Sequence, residues 1–235
     1  MNLILLHPDD LLSASRARLT GRRLKHVLEV HRANPGDQLA VGLLGGKIGM
    51  GTVTLIDSTV LEMDVRMDRD PPAALALTVV LALPRPKVLR RVLHSLSVMG
   101  VKRIVLMNSA RVEKSYWQTP FLEQEAIDRQ LVLGLEQARD TMLPEVILKP
   151  LFKPFVEDEL PEIIRGTLAL AAHPGGGAPI PRQVSGPITL AVGPEGGFVP
   201  FEIDMLVSKG FTAVSLGERV LNVETAVPAL ISRIF

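Results

Sequence analysis

Two short segments late in the chain carry the residues best suited to grip a small ligand. The first is Val192-Gly193-Pro194-Glu195-Gly196-Gly197-Phe198, which follows the apolar run Ile188–Val192 and precedes a helix expected from Pro200. Its glycines and proline fix a sharp, open turn at a strand's carboxyl end, where backbone N–H and C=O groups can meet a ligand. The second runs from Val214 to Ala226 as Val-Ser-Leu-Gly-Glu-Arg-Val-Leu-Asn-Val-Glu-Thr-Ala. It also leaves a strand, turns at Gly217 and enters a helix. Thr225 is the expected N-cap there, and Glu224 suits the positive end of the helix dipole. Taken singly, either segment is also what an ordinary chain reversal requires.

Other chemistries are excluded by inspection. No Gly-x-x-x-x-Gly-Lys-Ser/Thr occurs, so a P-loop is absent, and no Gly-x-Ser-x-Gly elbow exists. The glycines between Gly45 and Gly51 lack the dinucleotide spacing and a following helix, and read as a hairpin. His7, His26, His31, His94 and His173 lie scattered, without partners at ligand spacing, and no metal is expected. Cysteine is missing altogether, which removes disulfides and thiolate nucleophiles and fits a reducing compartment.

Charge is balanced overall, with 26 Lys+Arg against 25 Asp+Glu, but unevenly placed. Arg16, Arg18, Arg22, Arg23, Lys25 and Arg32 crowd one tract; Arg85, Lys87, Arg90, Arg91, Lys102 and Arg103 form another without an acid. Such asymmetry reads either as a nucleic-acid face or as solvated surface. Arg111-Val112-Glu113-Lys114-Ser115-Tyr116-Trp117 holds the only Tyr and only Trp beside cations. Stacking of an extruded base, or an aromatic anchor in a core or dimer contact, would each suit that pair.

The elements that must position these segments change character along the chain. Up to Arg66-Met67-Asp68-Arg69-Asp70-Pro71-Pro72 the pattern is β-rich, with strands expected at Gln38–Leu43, Gly51–Asp57 and Val60–Val65. The double proline marks a domain boundary, giving residues 1–70 and 73–235. Beyond it, apolar runs at Leu75–Leu83, Arg103–Met107, Thr167–Ala172, Ile188–Val192 and Ala213–Leu216 alternate with helices expected at Pro86–Met99, Phe121–Ala138, Pro200–Lys209 and Thr225–Ile234. That rhythm indicates an open, largely parallel α/β sheet with ligands beyond its carboxyl ends. The patch His173–Pro181, rich in Gly and Pro, reads as a loop. No apolar stretch reaches the roughly 20 residues of a membrane span, and the first ten residues lack a signal-peptide pattern. A soluble, cytoplasmic protein is expected.

In this order, Gly-Pro-Glu-Gly-Gly-Phe followed by Leu-Gly-x-Arg-Val-Leu-x-x-Glu-Thr-Ala resembles the RsmE family, SPOUT-type methyltransferases that act on N3 of a uridine in 16S ribosomal RNA with S-adenosylmethionine. Leu24-Lys25-His26-Val27-Leu28 with Pro35-Gly36-Asp37 is similar to the start of the family's PUA-like RNA-binding module. Leu83-Pro84, Gly100-Val101, Glu136-Gln137, Pro144 and Ala172-His173-Pro174 also match. The chain departs at Asn222, where the family usually has Arg, and at Asp140, where an Arg of the family is displaced to Arg139. Ser95-Leu96-Ser97-Val98-Met99 likewise lacks the family's Lys and Glu.

The resemblance implies an α/β fold: a C-terminal SPOUT trefoil-knot domain with a parallel sheet, preceded by a small PUA-like β-barrel. It implies an S-adenosylmethionine-dependent rRNA methyltransferase, active as a homodimer on ribosomal RNA or the small ribosomal subunit. Ala172, His173, Gly193, Pro194, Glu195, Gly196, Leu216, Gly217, Val220 and Leu221 would hold the cofactor, with Arg219 and Glu195 catalytic. Arg22, Arg23, Lys25, Arg90, Arg91, Arg111 and Lys114 would contact RNA, and no metal would be needed. A cofactor-holding assembly protein without activity, or a paralogue with another RNA target, is the alternative that Asn222 leaves open; a salt bridge closing the knot is the alternative for Arg219.

Overall fold

A computed structural model describes residues 2–174 and 176–235; Met1 of the leading segment and Gly175 of the expected loop lie outside the described residues. The chain divides into two compact units. The first takes residues up to 73 together with 132–143; the second takes 74–131 and 144–235.

In the first unit β1 (Ile4–Leu6), β2 (Leu11–Ser13) and β3 (Arg16–Leu19) precede the short helix α1 (Gly21–His26). β4 (Gln38–Leu43), β5 (Ile48–Ile56) and β6 (Leu61–Arg69) complete a mixed sheet in the order β1-β4-β5-β6-β3-β2, curled into a half-barrel. β6 continues through Arg66–Arg69, beyond the expected strand end. Its alternation explains why: Met63 and Val65 are buried while Asp64 and Arg66 face water. The Gly45–Gly51 stretch is the β4–β5 hairpin, with Gly45 at φ +72°. Gly49 has a further reason to be glycine, since a Cβ there would lie 1.9 Å from the Arg66 carbonyl oxygen on β6. Leu6, Leu19, Val41, Leu61 and Met63 fill the core.

The second unit is built on seven parallel strands: β7 (Leu75–Ala82), β8 (Val101–Met107), β9 (Glu145–Lys149), β10 (Leu168–Ala172), β11 (Ala178–Pro179), β12 (Ile188–Val192) and β13 (Thr212–Ser215). Their order is β11-β13-β10-β12-β7-β8-β9. Central strands buried on both faces need continuous apolar runs, and Val79 through Leu83 are fully buried. Helices α2 (Pro86–Val98), α3 (Gln124–Ala138), the short α4 (Phe152–Pro154) and α5 (Leu160–Ile163), α6 (Pro200–Ser208) and α7 (Val223–Ile234) alternate with the strands. Leu131 of α3 packs in the core of the second unit. From Val132 onward α3 belongs to the first unit, where Leu135 is buried with Leu3 and Leu5 and the Glu136 carbonyl accepts from Leu3 N at 2.8 Å.

Candidate functional site

Strand order creates the site. β10 lies between β12 and β13, so Ala172 stands in register with Val192 on one side and Val214 on the other. All three strands run parallel and end side by side, where ligands of α/β sheets bind. The segments that follow them enclose a cavity of 260 Å3. All ten residues expected at the cofactor, from Ala172 to Leu221, line it, as does Arg219. Val223, Ala226 and Leu230 form an apolar floor that the motifs alone did not single out. Their spacing of three and four residues, one face of α7, was the available signal.

The wall formed by residues 193–197 is tightly built. A Cβ on buried Gly193 would lie 2.9 Å from Phe198 N and 3.1 Å from the Gly197 carbonyl carbon, both backbone atoms that cannot yield. Gly197 N donates to Pro194 O at 2.8 Å and holds φ +71°, a conformation that favours glycine. Glu195 Oε1 accepts from Arg85 N at 3.0 Å, Arg111 donates to Gly196 O, and Phe198 is anchored in the core.

The facing wall is looser. Gly217 has φ +124°, and its N–H donates to Ser215 Oγ at 3.1 Å. Val220 is 78% exposed. Arg219 is exposed and engages no partner among the described residues, so the salt bridge considered for it is not made. The wall ends at Asn222, whose Oδ1 accepts from Thr225 N at 2.9 Å. Asn222, not Thr225, is therefore the N-cap, and the helix starts at Val223. Asn is among the best capping residues, whereas an Arg at this position has no acceptor to offer. Glu224 does sit in the first turn, where it meets Arg91 Nε at 2.6 Å. His173 N donates to Val214 O at 2.9 Å, while its Nδ1 is buried without a partner among the described residues.

The cations expected at RNA are mostly engaged within their own units. Arg22 makes a two-pronged pair with Glu136 at 3.1 and 3.2 Å. Arg23 binds Asp10 and donates to Leu5 O, and Lys25 lies 3.7 Å from Glu29. Arg90 stacks 5.0 Å over the Phe121 ring. Arg91 pairs with Glu224, while Glu157 and Glu159 face Lys153 and Lys149. Lys114 is exposed and unpaired among the described residues. Tyr116 and Trp117 pack against the core of the second unit. Trp117 Nε1 donates to Asn108 Oδ1 at 3.1 Å. Burial, then hydrogen bonding to Glu113, pushes the Tyr116 hydroxyl above its usual range. These two rings are core anchors in this structure. Among the described residues no three His, Cys, Asp or Glu side chains are grouped to hold a metal ion.

A curled mixed sheet in one unit and a parallel α/β sheet with its glycine loops at the carboxyl ends in the other match the expected fold, a PUA-like half-barrel ahead of a SPOUT domain. A family model described as an RNA methyltransferase domain matches residues 71–235, and the chain belongs to that family. The ribosomal RNA small subunit methyltransferase E of Treponema pallidum (strain Nichols) is 27% identical over 236 residues, covering 96% of this chain and 87% of the relative. The ribosomal RNA small subunit methyltransferase E 1 of Borreliella burgdorferi is 24% identical over 229 residues, covering 96% and 94%. The crystal structure of a ribosomal RNA small subunit methyltransferase E from Neisseria gonorrhoeae bound to S-adenosyl methionine superposes with a TM-score of 0.76 at 22% identity, covering 99% of this chain and 96% of the other. Similarity at that level establishes the shared fold.

Proposed function

We propose that this RNA methyltransferase uses S-adenosylmethionine to methylate N3 of a uridine in small-subunit ribosomal RNA. The observation that carries the reading is the single cavity on which both glycine segments and Ala172-His173 converge. The residues fit the cofactor. Gly193 lets the loop backbone close against Phe198 N where a Cβ would clash, His173 Nδ1 has no partner among the described residues, and the apolar floor suits an adenine ring. When bound, S-adenosylmethionine supplies an electrophilic methyl group.

The chain's own residues do the rest. The two walls would hold the cofactor, and positioning of the reactants supplies much of the rate in a displacement reaction. A uridine N3 must lose its proton to attack. Glu195, restrained through Oε1 by Arg85 N, leaves Oε2 to receive or orient that proton. Arg219 stabilises the negative charge that develops on the base, a role suited by its having no ion pair among the described residues. Asn222 contributes no such charge and serves the helix start instead.

Residues 1–70, joined by 132–143, act as the PUA-like RNA-binding domain and the rest of 73–235 as the methyltransferase domain, which pairs with a second copy in a cytoplasmic homodimer. No helix among the described residues is long and apolar enough to cross a membrane. Lys114, unpaired among the described residues, offers a cation to phosphate, while Arg22, Arg23, Lys25, Arg90 and Arg91 meet RNA by exchanging partners. Mass-spectrometric mapping of ribosomal RNA from cells with and without the gene tests the function. A methylated uridine should vanish from the small-subunit RNA on deletion; an unchanged profile would overturn the reading.

A further inference from the structure

Glu202, in the first turn of α6, is 2% exposed and lies outside the cavity lining. A carboxylate in that position needs several donors to offset its lost hydration, and it has three. Oε1 accepts from Ala110 N at 2.7 Å, and Oε2 from Ser109 Oγ and Val199 N, each at 3.0 Å. These donors sit on two separate stretches. Val199 directly follows the glycine loop, and Ser109-Ala110 directly precede Arg111. Arg111 then returns to the loop by donating to Gly196 O. Its side chain lies across Gly196 so closely that a Cβ there would meet Arg111 Cδ at 2.8 Å. Carboxylate, 109–110 segment, guanidinium and loop thus form a closed ring of contacts.

We propose that Glu202 and Arg111 are positioning residues, a clamp that holds the 193–198 loop in its ligand-ready shape before any ligand arrives. The ligand assignment rests on the proposed function; the clamp itself does not. This gives Arg111 a task distinct from the RNA contact its basic surroundings suggest. It also explains why position 196 is glycine although nothing in its backbone conformation demands one.

Variants at four positions test the clamp. Arg111→Met keeps the aliphatic stem but not the donor, Arg111→Lys keeps a donor, and Ser109→Ala removes one bond to Glu202. Hydrogen exchange of the peptide spanning 193–199 is read on the free protein, then affinity for S-adenosylmethionine by calorimetry and affinity for ribosomal RNA fragments. Loss of a charge-assisted bond predicts about tenfold faster exchange and about tenfold weaker cofactor binding in Arg111→Met. Arg111→Lys should recover part of both, and RNA affinity should stay unchanged. Ser109→Ala should move exchange in the same direction by less. Gly196→Ala should weaken cofactor binding in the native background and much less in Arg111→Ala, where the obstructing side chain is gone. Glu202→Gln should exceed Arg111→Met; if that variant does not fold, the Arg111 and Ser109 variants still decide. Unchanged exchange in Arg111→Met, or lost RNA affinity with cofactor binding intact, would overturn the clamp. Failure of the native protein to bind S-adenosylmethionine would overturn the cofactor assignment alone, because the exchange measurement needs no ligand.

Discussion

The two walls of the cavity are built from similar material and finished differently. Both leave a parallel strand through glycine, yet the 193–198 loop is tied at Glu195, Gly196 and Phe198 to groups remote in sequence. Among the described residues the 215–221 wall has one remote bond, Ile180 N to Ser215 O at its strand end, and otherwise the local Ser215–Gly217 bonds before Asn222 caps the helix, and it leaves Arg219 and Val220 in water. A prebuilt wall lowers the ordering cost of binding. A wall with few fixed contacts is drawn from the less stable part of a structure, where parts that must move are found. On the proposed function, the contrast gives recognition of the cofactor mainly to the first wall and adjustment around the reacting base to the second.

Substitutions on each wall should therefore fail in different ways. Arg219→Ala should show the largest effect, a fall in turnover of about 100- to 1,000-fold, typical of losing a group that stabilises transition-state charge. Cofactor affinity should barely change, and single-turnover kinetics with calorimetry separate the two. A comparable loss of cofactor affinity would erase the division of labour. On the other wall, Gly193→Ala forces a methyl group against backbone at 2.9 Å. Overpacking of this kind costs about 1–3 kcal/mol, so cofactor binding should weaken by up to about 100-fold.

Asn222→Ala tests the seam between the looser wall and α7. Loss of the cap should cost about 1 kcal/mol and lower the melting temperature by about 2–4 °C. Asn222→Asp should restore it, whereas Asn222→Arg should not. A control lies in the first unit, which contributes no residue to the cavity lining. Hydrogen bonding and charge from Arg18, with Arg16 beside it, hold the Glu62 carboxyl below the usual carboxylate range. Its contribution to stability is present above that range and fades as pH falls through the lowered value. Arg18→Met should flatten this acid dependence in thermal unfolding while leaving cofactor binding unchanged.

Much of the second unit was readable because its central strands are buried on both faces and so appear as unbroken apolar runs. β7, β10, β12 and β13 fall within a residue or two of the runs that announced them. The edge strands β9 and β11 escaped notice, being short and partly exposed. So did the division of α3, since a continuous helical pattern does not reveal that its last turns pack with Leu3 and Leu5. The cavity-lining residues were legible through the order of two motifs. The fate of the cations was not: Arg22 finds Glu136 across 114 positions, and charge composition cannot foretell such a partner. Asn222 and Thr225 are both good caps by type, and only the backbone geometry at Asn222, extended with ψ 159°, shows which one performs the task.

Calorimetric titration of S-adenosylmethionine into the native chain and into Gly193→Val, with circular dichroism confirming that the variant is folded, addresses the central claim most directly. The cavity between the two walls should bind one cofactor per chain, and the variant should bind none. Absence of binding to the native chain, or binding to the folded variant with native affinity, would contradict the claim.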